Sequence, residues 1–404
     1  MRSRSRLKAI PAILYTALLV LVCISGPFHE APSDVKPLIG PAPAAEVTLS
    51  CGTYPVETTE LTAVIQSEDI SKLDSLSYLT RADFSGSSCW KEIAEWGQAH
   101  PLLELKYTVT LPDGTVLDNS AAELDLSSLG HAAAAETAKV LACLPAVTHI
   151  KLGAQSAGSD ALTLADIGAI HEACPNAELD YSLTLYGHEI NLNDSALDFR
   201  GTEISDEAAA LNEVLPLMLR CSYLDMDNTG VSNEALAKIR EQFPNIDVVW
   251  RVWFGTNYSV RTDTERILAS KPTVGGMIYD ASVLQYCTKV KYLDLGHNDE
   301  LPSIDFVRNM PELEVLIIAM TAVRDISPLE SCPKLEYLEL NSTNIADISP
   351  LKNSTGLHHL NIAGCPNIKD ISPLYGLTEL ERLWIGCDTP VPDKQVSAMK
   401  ANSS

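Results

Sequence analysis

Apolar positions recur along the C-terminal third of the chain in one fixed frame. Leu313, Leu335, Leu357 and Leu380 each open the pattern L-x-x-[LI]-x-[LI], at intervals of twenty-two or twenty-three residues, and Val290 opens an earlier copy. Within a copy the last apolar positions alternate, as Leu338 and Leu340 do after Leu335, which predicts a short strand with one buried face. A second landmark follows each strand. Val323-Arg324-Asp325-Ile326-Ser327-Pro328-Leu329 returns as Ile345-Ala346-Asp347-Ile348-Ser349-Pro350-Leu351 and as Ile368-Lys369-Asp370-Ile371-Ser372-Pro373-Leu374. The Ser-Pro pair fits the first turn of a short helix, with Ser as the cap and Pro where no N–H is needed. Each unit therefore reads as strand, turn and helical return, and a unit this small buries its apolar face only by stacking on its neighbours.

Upstream the period lengthens. The run from Pro101 to Leu111 returns from Pro175 to Leu185, and more loosely from Pro244 to Phe254. Each run leads into a glycine-bearing turn (Gly114, Gly187, Gly255) and a further alternating stretch, which predicts β-hairpins. Between them, short strands are expected at 122–126, 147–152, 196–199 and 222–226, with helices at 136–144 and 233–243. Residues 46–100 read as an N-terminal capping segment, with helical spacing at 60–73 and 91–99. The C-terminal tail, 391–404, reads as a polar capping helix over 392–401. Irregular repeats with hairpins then occupy 101–289, and regular repeats 290–390.

The D-I-x-P-L segments within the leucine frame resemble the internalin type of leucine-rich repeat, over about Val290 to Val396. The position that family often fills with Asn is Asn298 here, but Thr321, Thr343 and Cys365 in later copies. The run Val248-Val249-Trp250-Arg251, with Tyr258-Ser259-Val260-Arg261-Thr262-Asp263, is also similar to exported repeat proteins of gut-type Gram-positive bacteria. No activity is established for that group, so the resemblance implies fold and location, not ligand. The fold class expected is an α/β leucine-rich repeat solenoid, a curved parallel sheet with short helical returns.

The N-terminus changes the picture of location. Arg2, Arg4, Arg6 and Lys8 precede an apolar run from Ala9 to Ile24, the order of an export signal. Residues 1–26 thus read as a signal peptide or an uncleaved membrane anchor, and the prolines of 27–45 read as an extended spacer. Membrane contact is expected only through that segment. The net charge of −24 would repel nucleic acid. Of the 10 cysteines, Cys143, Cys174 and Cys332 sit at matching points just before prolines, which favours buried thiols; Cys51 with Cys89 is the first pair to suspect of a bridge.

Catalytic signals are sparse. His171 and Cys174 are two potential ligands at helical spacing, too few for zinc, and none of the common hydrolase or nucleotide motifs is present. No cofactor or metal is expected. A wall-acting enzyme would need Asp69, Asp74 and Asp83 to converge. The residues between the buried leucines form three outward columns. The first is Tyr292, Val315, Tyr337, His359 and Arg382; the second Asp294, Ile317, Glu339, Asn361 and Trp384; the third, of mostly small residues, Gly296, Ala319, Asn341, Ala363 and Gly386. At about 4.8 Å per strand, such a face spans roughly 20 Å, room for a protein or peptide. Tyr337 and Trp384 are the expected anchors, Glu339 and Arg382 the orienting charges, and the small third column would admit a partner closely. A scaffold without a specific ligand is the other reading.

Overall fold

The computed structural model describes residues 45–156, 158–386 and 388–402. The expected export segment, and the expected proline spacer up to residue 44, lie outside them. No helix among the described residues is long and apolar enough to cross a membrane.

The leucine frame folds as a six-stranded parallel sheet. Its strands are Arg266–Leu268, Tyr292–Asp294, Val315–Ile317, Tyr337–Glu339, His359–Asn361 and Arg382–Trp384. The register pairs Leu293 with Leu316, Leu338, Leu360 and Leu383 in succession, so one apolar column runs through the stack. The first four of these are wholly buried, as are Leu295, Ile318, Leu340 and Ile362 two residues on. With about 0.8 kcal/mol per buried CH2, these columns dominate the stability of the stack.

The returns are 3-10 helices, Ser327–Ser331, Ser349–Asn353 and Ser372–Gly376, each with proline in its first turn. A repeat this short leaves room for a five-residue return, a length at which the tighter helix is common. Capping falls to the aspartate and not to the serine. Asp325, Asp347 and Asp370 each accept the backbone N–H of the serine two residues on, at 2.8, 2.8 and 2.9 Å, and the serine hydroxyl donates to the other carboxylate oxygen. The variable asparagine position keeps part of its function. Asn298 donates to Ala269 and Leu295 carbonyls and accepts from Ile278 N–H. Thr321 and Thr343 retain one of these bonds, to the Ile318 and Leu340 carbonyls at 2.8 and 2.7 Å, and Cys365 reaches Leu340 O at 3.2 Å.

Upstream the parallel strands come in blocks of three: Glu60–Thr62, Arg81–Asp83 and Glu104–Lys106; Glu123–Asp125, His149–Ala154 and Glu178–Leu185; Ala196–Asp198, Tyr223–Asp225 and Asp247–Val249. Each block ends in an antiparallel hairpin. The first pairs Thr108–Thr110 with Val116–Asp118, the second the end of Glu178–Leu185 with His188–Asn191, the third Arg251–Phe254 with Tyr258–Arg261. A buried aromatic residue, Tyr107, Tyr181 or Trp250, marks each entry. Its carbonyl accepts the N–H of Asn119, Leu192 or Thr262 at 3.0, 2.9 and 2.8 Å, closing the hairpin's base. No strand pairing joins one block to the next among the described residues, while a single apolar core runs through all of them.

The N-terminal segment differs from its helical expectation. Residues 60–73 open with a strand, followed by Ser67–Asp69 and Ile70–Leu73 as two short helical turns. Leu61 and Ile65 both face the core, a spacing of four that imitates a helix. Trp90–Ala99, Asn233–Gln242 and Asp393–Asn402 are helical as expected, whereas the helix expected at 136–144 runs from His131 to Leu141. Cys143, Cys174 and Cys332 are buried free thiols. Burial pushes Cys174 and Cys332 up to about 11, and each Sγ donates to a carbonyl one repeat earlier, at 3.5 Å. The Cys51–Cys89 bridge is absent. Cys89 is buried with its thiol on Ile65 O, whereas Cys51 is exposed.

Candidate partner-binding face

Strand alternation places the first two expected columns on the solvent side of the six-stranded sheet. Tyr292, Asp294, Val315, Ile317, Tyr337, Glu339, His359 and Asn361 are half-buried there, and Arg382 and Trp384 are exposed on the last strand. The centre is an aromatic row. Tyr337 stacks on His359 with centroids 5.6 Å apart and planes at 28°, and His359 meets Trp384 at 6.1 Å and 34°. At the other end Arg266 lies over the Tyr292 ring at 4.5 Å, a cation–π contact. Arg266 and the exposed Leu268 belong to a strand that pattern reading missed. Its only signal was the run Arg266-Ile267-Leu268-Ala269, where Ala269 replaces the usual second large residue.

The polar members are partly committed already. Tyr337 donates its phenol to Glu339; burial first, then that bond, push the phenol up to about 12. Asp294 and Asn361 accept the N–H of Gly296 and Ala363 at 2.9 and 3.1 Å, which ends their strands in tight turns. Glu381 approaches His359 Nε2 at 3.9 Å, whereas Arg382 makes no ion pair among the described residues. His359 Nδ1 and Asn341 Oδ1 are buried without a hydrogen-bond partner. The small third column has a packing cause. Gly296 and Ala319 are buried, and a Cβ on Gly386 would sit 3.1 Å from that of Ala363. These residues let adjacent turns approach each other; Gly296 and Ala319 are closed to a partner, while Asn341, Ala363 and Gly386 stay half-buried.

The block before it presents the same side of its ladder very differently. Asp225 and Asp227 are nearly buried there, and the third hairpin folds back over them. Arg261 reaches Asp225 at 2.9 Å, Asp227 at 3.3 Å and Asp263 at 3.3 Å. Arg251 reaches Asp227 at 2.9 Å, and Arg200 reaches Asp198 at 2.6 Å. Tyr223 Oη accepts from Arg261 and donates to Asp225. Hydrogen bonds from Arg200 hold Asp198 down at about 2.

The carboxylates considered for catalysis have separate partners. Asp69 is buried and accepts from Ser50 and from Gln66 N–H; Asp74 takes Trp96 Nε1 and His100; Asp83 takes Ser85 N–H and Lys106. His171 and Cys174 do not meet, since the thiol is turned to Leu141 O. Among the described residues no group of three His, Cys, Asp or Glu side chains could hold a metal ion.

Residues 311–353 match the family model described as leucine-rich repeats, two copies. No curated protein sequence matches the chain significantly. Similar solved structures include an internalin from Listeria monocytogenes, 15% identical, covering 87% of this chain and 81% of that one, with a TM-score of 0.29. A leucine-rich-repeat protein of Leptospira interrogans is 12% identical, with coverage of 85% and 97% and a TM-score of 0.32. A plant peptide hormone receptor solved in complex with RGF2 is 12% identical, with coverage of 83% and 50% and a TM-score of 0.24. The leucine-rich repeat fold rests on the family match and on the strand, turn and return geometry described above.

Proposed function

We propose that this chain is an extracytoplasmic protein-binding module whose contact surface is the open side of the six-stranded sheet. The observation that carries this reading is the row Tyr337, His359 and Trp384, large rings on an uncovered sheet, where Trp384 is 39% exposed. Leucine-rich repeat proteins generally mediate protein–protein interactions, and buried aromatic anchors dominate the energy of such contacts. Tyr337 and Trp384 act as anchors. Glu339 and Arg382 orient the partner, and Tyr292, Asp294, Ile317, His359 and Asn361 complete the contact. The basic and apolar start of the chain supports export.

The test is capture of a partner from cell-surface extracts by the parent chain and by a Tyr337→Ala, Trp384→Ala variant of confirmed fold. Each anchor is expected to contribute about 2 kcal/mol or more, so the variant loses the partner. A partner held equally by both chains would move the site off this face.

A further inference from the structure

The most exposed tryptophan among the large apolar side chains is not on that face. Trp253 lies on the third hairpin and is 60% exposed. Its strand neighbours Val252 and Phe254 point into the core, so the alternation of the hairpin sends Trp253 outward. Two cavities meet on it. One, of about 490 Å³, is lined by Trp253 together with Asn228, Asn233 and Arg251. The other, of about 340 Å³, is lined by Trp253 with Thr256, Met277, Tyr279 and Ser282. Trp253 is the one residue that lines both. Tyr279, 59% exposed, gives the second cavity another aromatic surface. Both volumes lie in the range of about 300–1,000 Å³ that small-ligand sites occupy.

The chemistry of the walls narrows the ligand. Of the charged side chains, Arg251 is paired with Asp227 at 2.9 Å, and Asp280, beside Tyr279, is an exposed carboxylate that accepts Ser282 N–H at 2.8 Å. The other polar groups are neutral. Asn228, Thr256 and Ser282 make no side-chain hydrogen bond among the described residues, and Asn233 uses only its carbonyl oxygen, on Trp250. Amide and hydroxyl groups ringing an exposed indole suit a molecule with an apolar face and a rim of hydroxyls. We propose that this double cleft binds a neutral oligosaccharide, with pyranose rings in the adjoining cavities and Trp253 stacking on the C–H face of one of them. The site is separate from the partner-binding face and stands or falls independently of it.

Calorimetric titration of the full chain with cellohexaose and with chitohexaose tests the assignment. At least one sugar should bind, with an affinity little changed by added salt because the ligand carries no charge. Trp253→Ala should weaken binding at least about tenfold, about 1.4 kcal/mol by the standard conversion, while Trp253→Phe keeps most of it. Tyr279→Ala should weaken it less, and the Tyr337→Ala, Trp384→Ala variant not at all. Because Trp253 is mostly exposed, its replacement should leave the melting temperature near that of the parent. Absence of heat with both sugars, binding undiminished by Trp253→Ala, or binding that salt abolishes would each overturn the proposal.

Discussion

The block that ends at Asp247–Val249 and the six-stranded sheet that follows it present the same side of similar parallel ladders, and they treat it in opposite ways. In the first, a hairpin folds back and three arginines pair with Asp198, Asp225, Asp227 and Asp263. In the second no hairpin intervenes, and rings stack along an open surface. Outward charge on a repeat sheet is therefore no mark of a ligand by itself. What separates the two faces is whether the chain supplies its own partner.

Breaking the closed face should have the largest effect. Arg261→Ala removes a cation that Asp225 and Asp227 share, their side chains only 6% and 9% exposed, while Arg251 stays on Asp227 and Arg200 lies 3.7 Å from Asp225; it should cost about 2–3 kcal/mol in chemical denaturation. An unchanged midpoint would mean that Arg251 and Arg200 suffice for the two carboxylates and that Arg261 adds nothing to the closed face. Asp347→Ala removes a turn cap in the regular repeats and should cost about 0.5–2 kcal/mol, measured the same way. On the open face, Trp384→Ala should cost no more than about 1 kcal/mol of stability while abolishing partner capture. A loss as large as that of Arg261→Ala would make the rings structural. The smallest effect is on pH. Asp198 titrates lower folded, at about 2, than its unfolded value of about 3.9. Its contribution is therefore complete above pH 4 and lost as pH falls toward 2. Asp198→Asn should flatten the acid limb of the denaturation midpoint slightly, since the pair is more than half exposed.

The regular repeats were legible because one apolar frame repeats without interruption from Val290 onward. The strand at Arg266–Leu268 was not, because it follows a hairpin directly and its second inward residue is only Ala269. In the N-terminal segment, the separation of Leu61 and Ile65 suits a helix as well as a strand leading into a bend. The aromatic row could be listed from alternation, yet its stacking required the register between strands. The arginine clamp was invisible in the same way. Arg261 and Asp225 are 36 positions apart and meet only because of the angle at which the hairpin turns back.

The hairpins have a mechanical consequence. Within a block, each parallel strand is tied to the next by backbone hydrogen bonds, whereas across a hairpin the blocks share side-chain packing, loops and scattered side-chain contacts such as Arg240 donating to Tyr286 O at 2.9 Å. Apolar packing is non-directional and tolerates sliding, while a hydrogen-bonded ladder yields only when its bonds break together. Pulled from its ends, the array would part first at the hairpins and extend in steps of one block, with the six-stranded C-terminal ladder the last to give way.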